Sequence, residues 1–244
     1  MSAMSKAARE VILAKIKRAL KRDDHLDSPR GVEVSGLNAP DEPGPITGRN
    51  QHQLEELVKR FELELLRVGG HFYVASAVDS ACVYIENLAS KRRARSVISW
   101  SAPAIDDIGL AKRLEGAGVE VISDDGSLSD EEFTSKALEA DIGITGVDYA
   151  LADTGTLVLL AGKCRARSAS LAPPVHVAIL KPEQIVSGLN DLIPFLNTGA
   201  QAGLDFTSAV TFITGPSRTA DIELTLVIGV HGPQELHAVL LEQA

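Results

Sequence analysis

The chain has 244 residues, 45% of them apolar and 23% charged, the balance of an ordinary globular protein with room for a substantial core. A net charge of -9 argues against a general nucleic-acid binder, which needs a basic face, and no apolar run reaches the length of a membrane span. With only two cysteines, Cys82 and Cys164, a disulfide framework is not expected, a cytoplasmic location is, and the chain cannot by itself hold a four-thiolate iron–sulfur cluster.

Residues 3–22 read as a basic amphipathic helix, with Ala8, Ile12, Ile16 and Leu20 on one face. Residues 23–50 are rich in proline and glycine and poor in large apolar side chains, as in a flexible linker. Residues 1–50 are therefore expected to form an N-terminal helical arm able to reach a second copy of the chain. From residue 51 to 244 the pattern becomes that of an α/β domain. Leu54, Leu57, Val58, Phe61, Leu65 and Val68 predict a helix that ends at Gly69-Gly70. Then come a strand at 71–75, a helix at 81–89, a strand at 96–100, a helix at 105–114 and a strand at 119–123. Ser129 is a candidate N-cap for a helix with an acidic first turn. Strands at 142–144, 156–161 and 176–180 follow, then a helix at 183–196 and strands at 209–213 and 222–230. Short Val/Ile-rich runs alternating with helices predict a mostly parallel sheet with helices on both faces.

In such folds ligands bind at the carboxyl ends of strands, so the loops at 145–156, 162–175 and 214–221 are the candidate site. In Thr214–Glu223, Gly215 permits close backbone approach, Ser217 and Thr219 offer hydroxyls, and Arg218 offers a planar fork for a carboxylate or phosphate. Asp221 and Glu223 share one face of the following strand. Asp153-Thr154-Gly155-Thr156 has the local pattern of an aspartic-protease carboxylate, but that chemistry needs two such carboxylates in an all-β setting. It reads instead as a tight turn, either offering hydroxyls and N–H groups to an anion or capping the next strand. His231, just past a strand, is a candidate acid or base. His176, opening an apolar strand, reads as a satisfied core histidine. The six histidines show no metal-ligand spacing, so no metal site is expected.

Four stretches, Ala152–Val158, Pro174–Ala178, Gly215–Glu223 and Gly229–Pro233, resemble in this order the lactate-utilisation protein C family (LutC/YkgG), which consists of a LUD domain. The resemblance spans about residues 70–242, with Asp153 standing where members often carry Glu. It implies a fold similar to the NagB/RpiA/CoA transferase-like fold and a part in oxidising L-lactate to pyruvate with iron–sulfur partner proteins. On that reading the clusters sit on the partners and this chain binds no cofactor. A small anion such as lactate would meet Asp153, Thr154, Gly155, Thr156, Gly215, Ser217, Arg218, Thr219 and Asp221, with Glu223 or His231 moving a proton. Two rival readings are a stand-alone transferase or isomerase for a coenzyme A ester or sugar phosphate, and a non-catalytic assembly or regulatory module.

Overall fold

A computed structural model describes residues 49–101, 108–162, 164–201, 209–220 and 226–242. All lie within Asp41–Ala244, the second of two units into which the chain divides. The expected helix at 3–22 and nearly all of the linker lie outside the described residues, as do Asp221 and Glu223.

Helix α1 (Gln51–Arg67) starts at a capping box in which the Asn50 side chain accepts from the Gln53 N–H at 2.9 Å and Gln53 Oε1 accepts from the Asn50 N–H at 3.0 Å. It ends where Gly69 turns left-handed (φ 81°) and the Gly70 N–H donates to the Leu65 carbonyl at 2.9 Å. Its inner face buries Phe61 and Leu65 completely, each contributing roughly 1.5–3 kcal/mol. Strand β1 (His71–Ala75), helix α2 (Val78–Arg92), strand β2 (Ser96–Trp100), helix α3 (Leu110–Gly116) and strand β3 (Glu120–Asp124) follow. Ser129 caps helix α4 (Asp130–Glu139) as predicted, with Glu132 closing the box at 3.0 Å. Next come β4 (Ile142–Gly146), β5 (Tyr149–Leu151), β6 (Thr156–Leu160), α5 (Ser168–Leu171), β7 (Val175–Leu180) and β8 (Ile185–Val186). Helix α6 (Leu189–Gln201), β9 (Val210–Thr214), β10 (Arg218–Ala220), β11 (Leu226–Ile228) and β12 (Glu235–Leu241) complete the order.

A six-stranded sheet, β1-β12-β7-β4-β2-β3, forms the centre, and all its pairings are parallel. Its inner strands β4 and β7 are buried from end to end, with Thr145 and His176 as their buried polar side chains. Helices cover both faces. On one face Tyr84 of α2 reaches His237; on the other Gly143 lies under α5, where an added Cβ would meet the Ala169 carbonyl. A mixed four-stranded sheet, β8-β5-β6-β9, and the hairpin β10-β11 make up the rest. Among the described residues no helix is long and apolar enough to cross a membrane.

One expectation needs correction, and two more fall partly outside the described residues. The single helix expected at 183–196 is a 3₁₀ turn (Pro182–Gln184), then β8, then α6. Ile185 and Val186 are β-branched and wholly buried against β5, and Gly188 separates them from the helix. The helix expected from Ile105 begins, among the described residues, at Leu110 behind the left-handed Gly109 (φ 66°). The strand expected at 222–230 is described only at β11 and stops at Gly229 (φ 75°). β12 was not predicted, although it lies second from the edge of the central sheet. Its His237 breaks the apolar run and hides a strand signal.

Candidate functional site

β6 and β9 pair antiparallel with Thr156 opposite Thr214, so the Asp153–Thr156 turn and the Gly215–Arg218 turn lie side by side. Hydroxyls stitch them together: Thr154 Oγ1 and Thr156 Oγ1 lie 2.8 Å apart, and Thr156 Oγ1 and Thr214 Oγ1 also 2.8 Å. Both turn glycines are buried and left-handed (Gly155 φ 61°, Gly215 φ 75°), and both face the last turn and a half of α1. A Cβ on Gly155 would stand 2.6 Å from Leu65 Cα and from the Glu64 carbonyl carbon; one on Gly215 would run into the Val68 carbonyl oxygen. The Arg218 guanidinium donates to that same Val68 carbonyl, a cation at the carbonyl end of a helix. The Asp153 carboxylate packs against Gly188 at the start of α6, where a Cβ would come within 3.0 Å of Asp153 Cγ.

Next to this knot a cleft of about 200 Å³ opens between α5, β9 and the turn at 231–233. Ser170, His176, Thr211, Thr214, Ser217 and His231 are its polar residues, with Leu171, Phe212 and Leu236 among the apolar ones. Ser217 is held from both sides, its N–H donating to the Pro233 carbonyl at 2.8 Å and its carbonyl accepting from the Gly229 N–H at 2.9 Å. Its Oγ would lie only 3.3 Å from a Cβ on Gly232, so Gly232 leaves the space that Ser217 occupies.

His176 is the unusual member. It is 0% exposed, shares a hydrogen bond of 2.8 Å between Nε2 and Thr145 Oγ1, and leaves Nδ1 with no partner among the described residues. Burial, aided by the field of His237, pushes its pKa down to about 3, so the ring is neutral at physiological pH. An unmet buried polar atom costs about 1–3 kcal/mol.

The structure therefore brings Gly215, Ser217 and His231 into one cleft, with Arg218 and Thr219 on the adjoining hairpin. It places Asp153, Thr154, Gly155 and Thr156 beside that cleft but not among its lining residues, and it uses their glycine and hydroxyls to hold α1 and β9. Thr219 sits on β10 opposite Val227. The cleft lies at the amino ends of β7 and β12, since His176 and Leu236 are each the second residue of their strands, not at the carboxyl ends. Reading His176 as a core histidine captured its burial but not its unmet nitrogen. Ser170 carried no signal in the sequence, because only the packing of α5 on Gly143 puts it in the cleft.

Cys82 is buried, donates to the Ile108 carbonyl and has its thiol pKa raised by burial, and Cys164 is a half-buried free thiol.

Residues 58–241 match the family described as LUD domain. A protein named lactate utilization protein C from Halalkalibacterium halodurans is 35% identical over 217 residues, covering 87% of this chain and 92% of that one. Another of that name from Macrococcus caseolyticus is 30% identical over 229 residues, covering 91% and 90%. The crystal structure of a DUF162-family protein from Deinococcus radiodurans superposes with a TM-score of 0.56 at 22% identity, covering 77% of this chain and 98% of that one, and shows the shared fold.

Proposed function

Because the chain belongs to the LUD-domain family, we propose that it takes part in lactate utilisation, as a subunit or accessory protein of an iron–sulfur system that oxidises L-lactate to pyruvate. Taking a 2-hydroxy acid to its 2-oxo acid releases two electrons and two protons. The two cysteines of this chain do not fit a cluster, so the electrons leave through partner proteins. This chain's residues bind and orient the acid in the cleft. Ser217 contacts the carboxylate, His176 Nδ1 meets a polar atom of the ligand, and His231, exposed at the mouth, takes the hydroxyl proton. Arg218 ties its hairpin to the end of α1 and does not touch the acid.

The observation that carries this site is His176, a fully buried ring whose one unpaired nitrogen belongs to a side chain lining the cleft. The test is to purify the tagged chain from its own host without oxygen and to score iron, visible absorbance and lactate-dependent dye reduction. Cysteine-rich partners, iron and activity should come down together. A colourless, solitary chain that turns over a coenzyme A ester or a sugar phosphate would replace this reading with that of a stand-alone enzyme.

A further inference from the structure

We propose that His71, Glu235 and His237 form a binding site for a divalent transition-metal ion of the zinc class. The three arise from strand geometry alone. His71 opens β1 and is the register partner of His237 on β12, so the two imidazoles stack, with ring centroids 4.5 Å apart and planes 17° from parallel. Glu235 precedes His237 by two residues and projects from the same face of the sheet. One ligand atom from each of the three lies within 4.8 Å of the others.

His237 Nε2 and Glu235 Oε2 are 3.3 Å apart, long for a hydrogen bond between imidazole and carboxylate. Two ligands at about 2.0–2.1 Å from one tetrahedral ion stand roughly 3.3 Å apart, so this pair already has metal spacing. Both are oriented from behind. Tyr84 Oη lies 2.8 Å from His237 Nδ1; with Nδ1–H donating to that oxygen, the Nε2 lone pair on the Glu235 side is the ligand. Arg92 donates to Glu235 Oε1, which turns Oε2 toward His237. His71 is exposed and stacks on His237, from which a side-chain rotation would bring it onto the ion, while His237 is only 5% exposed. Two imidazoles and one carboxylate with an open side are a ligand set for zinc or a neighbouring divalent ion, with water completing the coordination.

The site does not depend on the lactate reading. It lies on the face of the sheet opposite the cleft, because Leu236, which lines the cleft, points the other way from its neighbours Glu235 and His237. To test it, the full chain, freed of any affinity tag and stripped with a chelator, is titrated calorimetrically with zinc alone. The expected result is one zinc per chain with a dissociation constant in the micromolar range or tighter. His71→Ala and Glu235→Gln should each weaken binding by about tenfold or more, whereas His52→Ala, on the exposed side of α1, should leave it unchanged. His71 is on the surface, so that variant decides the matter even where a His237 variant fails to fold. No zinc uptake, or zinc binding that survives both His71→Ala and Glu235→Gln, overturns the proposal.

Discussion

Replacing Gly155 by alanine asks whether this glycine serves packing or a ligand. The new Cβ would sit 2.6 Å from Leu65 Cα and from the Glu64 carbonyl carbon, and closer still to the Leu65 nitrogen. All are helix backbone, so no flexible side chain can yield. Relief requires α1 to lift off the turn, loosening Phe61 and Leu65, and such overpacking costs about 1–3 kcal/mol. The left-handed conformation (φ 61°) adds about 1–2 kcal/mol for a residue with a side chain. The sum, about 2–5 kcal/mol, corresponds to a fall in Tm of roughly 5–15 °C for a domain of this size. Gly118→Ala is the matched control, since Gly118 is also left-handed (φ 81°) but a Cβ there meets nothing within 4 Å. Urea denaturation of the two variants beside wild type separates strain from clash, and Gly155→Ala should lose about 1–3 kcal/mol more than the control. Equal losses, combined with abolished lactate-dependent activity of the folded Gly155 variant, would refute the packing argument and return Gly155 to the ligand site.

His176 gives a pH signature. Its pKa falls from 6.5 to about 3 on folding, so between those values the unfolded chain binds the extra proton. Stability is full above about pH 6.5 and declines by a few kcal/mol as pH falls toward 3; His176→Gln should flatten that slope in thermal melts. Thr156→Val breaks the hydroxyl chain between Thr154 and Thr214 and should cost about 1 kcal/mol, and pairing it with Thr214→Val should be less than additive in denaturant titrations. Arg218→Ala removes an exposed hydrogen bond to the Val68 carbonyl; it should lower stability by about 1 kcal/mol and leave the KM for lactate of the assembled system unchanged. A raised KM would put Arg218 on the ligand.

Local patterns carried most of the fold. The α1 stop, the Ser129 N-cap and the short Val/Ile-rich runs of β4 and β7 are written in spacing and turn chemistry, and the structure follows them. What stayed illegible depends on register and on contacts between distant segments. Gly155 and Gly215 announce close approach, but only the docking of α1 shows that the approaching group is helix backbone. His71 and His237 are separated by most of the chain and become neighbours through β12, a strand that its own sequence conceals. The unmet nitrogen of His176 is a property of packing, invisible in any local motif.

On the proposed function, the cleft of Ser217, His176 and His231 serves lactate oxidation in concert with iron–sulfur partners. Lactate-dependent dye reduction, without oxygen, in host extracts lacking this chain and supplemented with purified protein tests this. Wild-type chain should restore activity, while folded Ser217→Leu, which fills the cleft, and His231→Ala should restore little of it. Activity that is full without the chain, or restored equally by Ser217→Leu, would rule this role of the cleft out.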